Sequence, residues 1–196
     1  SIFAYYTGQE NAVRDSVVAF DKYIPSNIPR VALSDYNNFE ITDTLAAAEA
    51  LGSKLAAVRV DTCGENLAEG SKDGNRKYWE GRGVTVEGVK ALRERLNANP
   101  LTKNIGIYLS SGFSNPEKVR AFNEGEKYFG MKLYDGIGAG FLDGVRCATA
   151  DIIAVGENAD EVDFYKGNVQ QKNIVHKVGR PPRMNRALSL IVRGAK

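Results

Sequence analysis

Residues 104–122, NIGIYLSSGFSNPEKVRAF, decide the fold. Residues 105–109 are a short run of apolar and β-branched side chains, the composition of a strand buried on both faces. The run stops at Ser110-Ser111-Gly112. Ser114 or Asn115 then caps a helix, with Pro116 at its first position and Val119 and Phe122 on one face. A strand, a small polar turn and a capped helix aim backbone N–H groups and a helix N-terminus at one spot, which favours an anion. A second glycine turn, Gly136-Ile137-Gly138-Ala139-Gly140, follows another short apolar run. Two such turns at the ends of neighbouring parallel strands would grip a phosphate between them. Either turn alone is common for reasons of backbone geometry.

Working outward, the same unit recurs. Residues 1–24 read as helix, with Val13, Val17, Phe20 and Ile24 at helical spacing and Pro25 ending the run. Strong apolar residues at the very start suggest a chain that begins inside a fold. Residues 30–35, RVALSD, form a buried strand that ends in Asp35. A helix is predicted from Thr42 to Gly52. Residues 54–61, KLAAVRVD, form a second strand ending in Asp61. Arg59 within it implies a burial cost unless it is paired or ligand-bound. Residues 62–83 are a long polar, glycine-rich segment holding the single tryptophan, Trp79. Segments of this kind are usually functional lids or linkers. Thr85 caps a further helix, with Val86, Val89, Leu92 and Leu96 on one face.

Strand starts near 31, 55, 105 and 133, separated by helices, are the pattern of βα units in a parallel sheet. Right-handed crossovers would bring Asp35, Asp61, Ser111 and Gly136 to one rim, where such folds bind ligands. From residue 150 the pattern changes to short strands at 151–155, 161–166, 174–178 and 189–192, a meander. The expected division is therefore 1–149, part of an α/β barrel, and 150–196, a β-meander that packs on a domain outside these residues. Four or five parallel strands do not close an eight-stranded barrel, so the chain reads as the C-terminal part of a larger fold.

Composition narrows the classes. The chain has 196 residues, 43% of them hydrophobic and 26% charged, which is ordinary for a soluble globular protein. A net charge of +2 with scattered basic residues makes no case for nucleic acid. No run approaches the roughly 18 apolar residues of a membrane span. Residues 1–10 lack the basic and apolar regions of a signal peptide. Two cysteines, Cys63 and Cys147, are too few for a disulfide framework or a zinc site and read as reduced thiols of a cytoplasmic protein.

These motifs in this order resemble those of nicotinate phosphoribosyltransferases, of the type II phosphoribosyltransferase kind. LGSKLAAVRVDT (51–62) resembles the family's "VRLDS/T" barrel strand. RVALSD followed by Tyr36 is similar to its "LVDT" strand, departing as LSDY. YLSSGF (108–113) resembles the "SGGL" turn and GIGAG (136–140) the "GVGT" turn, while VVAFDKYIPSNIPRVALSD is similar to a compact archaeal-type branch. The resemblance implies a partial (β/α) barrel with a C-terminal antiparallel meander. It also implies the reaction of nicotinate with phosphoribosyl pyrophosphate to give nicotinate mononucleotide and pyrophosphate, in NAD synthesis. ATP would assist as co-substrate through a phosphorylated histidine, with Mg²⁺ as cofactor and a homodimer as the assembly. Carried over to this sequence, Arg59 would face the nicotinate carboxylate or ring, with a planar fork that no lysine reproduces. Asp61 would hold ribose hydroxyls or Mg²⁺ near the anomeric carbon, with Asp35 as a further substrate contact. Ser111, Gly112, Gly136, Gly138 and Gly140 would cradle the 5′-phosphate.

The departures matter. The single histidine, His176, falls in the meander, where the family's phosphorylated histidine has no counterpart. Ser111-Gly112-Phe113 replaces the second glycine of the "SGGL" turn, and Ala139-Gly140 removes a threonine hydroxyl. Other bases, nicotinamide or quinolinate, and a non-catalytic phosphate-binding fragment or subunit remain as alternatives. A generic sugar-phosphate barrel enzyme explains the turns but not Arg59-Val60-Asp61. Plainer readings stand beside each site residue. Asp35 and Asp61 cap turns, Arg59 forms a buried structural ion pair with one of them, Cys63 is a packed thiol, and Arg180, Arg183 and Arg186 lie in a solvated turn. Trp79 and Tyr78 either lid a pyridine ring or pin their loop.

Overall fold

The computed structural model describes residues 8, 10–140 and 154–162. Helix α1 (Ala12–Tyr23) is followed by β1 (Arg30–Leu33), α2 (Glu40–Leu51), a 3-10 turn (Gly52–Lys54), β2 (Leu55–Val60), α3 (Val86–Asn97), β3 (Gly106–Leu109), α4 (Pro116–Phe129) and β4 (Gly136–Ile137). The strands form one sheet in the order β1-β2-β3-β4, and every neighbouring pair is parallel. This is the α/β succession the sequence predicts. The four strands among the described residues are compatible with a partial barrel. His176 and the predicted meander lie outside the described residues except at 154–162, where Ala159–Val162 form a 3-10 turn and not the start of the strand expected at 161–166.

The sheet has two unlike faces. Ala32, Val58, Val60, Ile107 and Leu109 point to the helices and are at most 3% exposed. They form the core with Val86, Val89, Leu92 and Leu96 of α3 and Phe122 of α4. Register places Leu33, Arg59, Tyr108 and Gly136 side by side in one row across all four strands. The strand period of two puts this row on the opposite face. Among the described residues that face is left open: Val31, Leu33 and Tyr108 are each more than 40% exposed. Gly136 is a glycine because the Tyr108 ring lies across it, where a Cβ would come within 2.6 Å.

Three local expectations change, and a fourth point, left open by the sequence, is decided. Arg59 is not buried in its apolar run, because alternation places it on the open face, where its side chain is 48% exposed. Helix α2 begins at Glu40 and not at Thr42. The carboxylate of Glu69, 28 residues away, accepts the N–H groups of Ile41 and Thr42 at 2.9 and 2.8 Å and extends the helix backwards. The fourth strand is Gly136–Ile137 and not residues 132–136. There Asp135 uses its side chain, accepting the Ile107 N–H at 2.8 Å and so occupying the ladder position itself. The 62–83 segment is no detached linker. Trp79 is 5% exposed and packs edge-on to Tyr128, with ring centroids 5.8 Å apart, and against Phe129 at 6.1 Å. Arg76 stacks over the Trp79 ring at 3.5 Å.

Asn115 caps α4 through its side chain, accepting the Glu117 N–H at 2.9 Å, with Pro116 at the first helical position. Thr85 caps α3 by accepting the Gly88 N–H at 3.3 Å.

Arg93, 6% exposed, ties α3 to the last two strands. It donates to the Ile105 carbonyl at 3.1 Å and to the Asp135 carboxylate at 2.7 Å. Burial alone would raise the Asp135 carboxyl, but bonds from Lys132, the Ile107 N–H and Arg93 together hold it below the usual carboxylate range. A depressed carboxyl contributes stability that is present above its unfolded value, near 3.9, and lost as pH falls through the folded value. Asp135→Ala leaves the Arg93 guanidinium buried without its counter-charge. It is expected to cost about 3 kcal/mol in urea unfolding at pH 7. The wild-type advantage should shrink as the pH is lowered below about 4.

Candidate functional site

The sheet's hydrogen bonding continues past the strand ends and fixes the rim. The Ser34 N–H donates to the Arg59 carbonyl at 3.2 Å, the Ser110 N–H to Val60 at 2.8 Å and the Gly138 N–H to Leu109 at 2.7 Å. Because all four strands are parallel, Asp35, Asp61, the Ser111-Gly112 turn and Gly138 emerge along one edge. The structure brings these sequence-predicted residues together.

Arg59 and Asp61 lie two residues apart and are paired. The Arg59 Nη2 donates to Asp61 Oδ2 at 3.0 Å, with both side chains at least a third exposed. The expected ion pair therefore exists, but it is solvent-accessible and contributes little to stability. Asp35 differs: it is 2% exposed, and its carbonyl accepts the Asn38 N–H at 3.4 Å in the turn that follows β1. Of the two strand-end carboxylates, Asp61 is the one that solvent reaches.

The Ser111-Gly112 turn is conformationally unusual. Both residues have positive φ, +70° and +79°. Glycine adopts this region at little cost, while serine is strained there. A second contact holds the turn. Lys118, in the first turn of α4, folds back so that its ammonium donates to the Ser111 carbonyl at 2.8 Å. Sequence reasoning missed Lys118. The available signal was a lysine in a helix's first turn, where the dipole favours carboxylates. Gly138 lies against the same strand end: a Cβ there would stand 3.0 Å from the Ser110 hydroxyl. Gly140 is exposed, and a Cβ there would meet no described atom within 4 Å. Gly136 sits one row below the rim, under Tyr108.

The 62–83 segment is pinned to the start of α2 by two carboxylates, Glu40 buried and Glu69 half-buried. Thr62, directly after Asp61, donates its hydroxyl to Glu40 at 2.6 Å. The Glu69 N–H donates to the other Glu40 oxygen at 2.8 Å, while Glu69 caps α2 in return. Asn66 donates to the Asn38 side chain at 2.9 Å. This is a reciprocal capping box built across a loop. Tyr78 lies along α4, its hydroxyl accepting from Asn115 at 2.9 Å. Cys63 is a half-buried free thiol. Among the described residues no group of three or more His, Cys, Asp or Glu could hold a metal ion, and no helix is long and apolar enough to cross a membrane.

Asp43 carries the cost of this acidic cluster. It is 6% exposed, and its Oδ2 has no hydrogen-bond partner among the described residues. Burial, then the charges of Glu40 and Glu69, push its carboxyl up to about 6. A carboxyl raised in the folded state binds more protons than the unfolded chain, so stability falls as pH rises from about 4 to about 6. Asp43→Asn should weaken that pH dependence, leaving the part due to Glu40, which burial also raises, and gain on the order of 2 kcal/mol at pH 7, read as a higher Tm. An unchanged Tm would show that the carboxylate is not penalised there.

No protein-family model matches the chain, and no curated protein matches it. Among solved structures, the nicotinate-nucleotide pyrophosphorylase from Pyrococcus furiosus is similar to it at 26% identity and a TM-score of 0.48. The match covers 70% of this chain and 28% of that one, so the chain spans little more than a quarter of that protein's length.

Proposed function

We propose that this chain is the barrel portion of a phosphoribosyltransferase of NAD synthesis, and that its base is nicotinate. The observation that supports this most is the Arg59–Asp61 pair on the open sheet face, directly below the rim that carries the Ser111-Gly112 turn and Gly138. Arg59 is flanked in register by Leu33 and Tyr108, both exposed. A guanidinium between an aliphatic and an aromatic side chain suits a flat ring bearing a carboxylate. The fork takes the two carboxylate oxygens and the flanks take the ring faces.

In this reading the base's carboxylate displaces Asp61 from Arg59, and Asp61 turns to the ribose hydroxyls. The pyridine nitrogen attacks the anomeric carbon as the bond from that carbon to pyrophosphate breaks. Positive charge that develops on the ribose is stabilised by the Asp61 carboxylate. The turns hold the 5′-phosphate and so fix the anomeric carbon against the base. Mg²⁺ fits as an ion shared with substrate. One carboxylate with phosphate oxygens is a usual set, and Arg59 engages only Oδ2 of Asp61. ATP as co-substrate, acting through a phosphorylated histidine, and a homodimer belong to the same proposal, as does a cytoplasmic location. Quinolinate is the second reading, because Arg59 serves any pyridine carboxylate.

Calorimetry on the full protein tests this with nicotinate and nicotinamide mononucleotides, and with free nicotinate and quinolinate as bases, the last distinguishing the second reading. The nicotinate form is expected to bind at least about tenfold tighter than the amide. Arg59→Ala should lose roughly 10- to 100-fold for the nicotinate form and little for the amide. Equal binding of acid and amide, or an Arg59→Ala variant with unchanged affinity, would rule out the assignment.

A further inference from the structure

The reading above leaves Lys118 without a role. It is 7% exposed. Its ammonium lies 4.6 Å from the centre of the Phe113 ring, and the Ser111 carbonyl is its hydrogen-bond acceptor among the described residues. An ammonium has three donors, so this one is under-satisfied where it stands. A Cβ on Gly112 would sit 3.8 Å from the Lys118 nitrogen, and the bare Cα leaves that approach open. Glu117, beside it on α4, is engaged by Lys77 at 2.9 Å. The other charge Lys118 feels is Asp61, at the end of β2, through space.

We infer that Lys118 is the cation that binds a phosphate monoester at the Ser111-Gly112 turn, and that its bond to the Ser111 carbonyl holds ammonium and turn in place until the dianion arrives. The inference rests on the rim being a phosphate site, as proposed above. It accounts for three features together: a lysine where the helix dipole disfavours one, a serine held at positive φ, and an ammonium buried on a single carbonyl. Burial lowers this ammonium to about 8, with the Asp61 charge holding it up in part. A phosphate dianion beside it restores the proton.

The test is calorimetry on the full protein from pH 7 to 9.5, with inorganic phosphate and nicotinate mononucleotide as probes. At pH 8.5 binding is expected to take up more than about half a proton per site, read from buffers of different ionisation enthalpy. Affinity should fall by nearly tenfold per pH unit above about 8. Lys118→Gln is expected to abolish the uptake and weaken both probes by about 10- to 100-fold, while Lys118→Arg keeps affinity within a few-fold and makes it independent of pH. Binding of both probes by Lys118→Gln at full affinity overturns the role of Lys118 and leaves the Arg59 reading standing. Lys118-dependent phosphate binding without nucleotide binding sustains Lys118 and overturns the nucleotide reading. Binding of neither probe overturns both. Where Lys118→Gln fails to fold, Lys118→Met, which keeps the apolar stem and removes the charge, takes its place with the same two outcomes.

Discussion

The parallel pairing of β2 along both of its edges is the constraint on which the rest depends. Val58 faces Ala32 on one side and Ile107 on the other, and the three strands run the same way. With β4 added in the same sense, every strand must end on the same rim. Residues far apart in sequence then become neighbours: Asp61, the Ser111-Gly112 turn and Gly138. The same register sets Leu33, Arg59, Tyr108 and Gly136 in one row on the open face. A one-residue slip of β2 would turn Arg59 into the helix-side core and break both arrangements at once.

The rim is supported by charge placed beneath it. Glu40 and Glu69 hold the 62–83 segment to the start of α2, and Asp43 bears the electrostatic cost of standing beside them. Arg93 and Asp135 fasten the far side of the sheet. Buried groups of this kind seldom add net stability over apolar residues of the same size. Here they set where loops lie relative to strand ends, a geometric role that apolar packing, being non-directional, fills less well. Lys118 belongs to the same class but differs in one respect. Its hydrogen-bond partner among the described residues is a single backbone carbonyl, not a carboxylate.

Periodicity alone placed most of the elements. Apolar runs of five to eight residues identified β1, β2 and β3, and the caps at Thr85 and at Ser114 or Asn115, of which the fold uses Asn115, were readable because a side-chain cap is a local interaction. The start of α2 was not readable, since its cap is Glu69, reached only when the chain folds back. The place of β4 was hidden for the same reason: the Ile107 N–H is taken by the Asp135 side chain, while the Asp135 N–H donates to the Ile107 carbonyl. Trp79 could be a lid or an anchor on sequence alone, and it is buried against Tyr128 and Phe129.

The sequence by itself determined the order of βα units, the parallel sheet and most of the residues that reach its rim, while Gly136, expected there, lies within β4 one row below it. Those follow from local periodicity and from the handedness of the crossover. Only the tertiary structure decided that Arg59 is exposed and paired with Asp61, that Asp35 is buried, and that Lys118 stands beneath the Ser111-Gly112 turn. Which face a residue takes depends on register between strands, and which charges meet depends on how loops fold over helix ends. Both are long-range choices, made by packing and desolvation, that no local window of sequence contains.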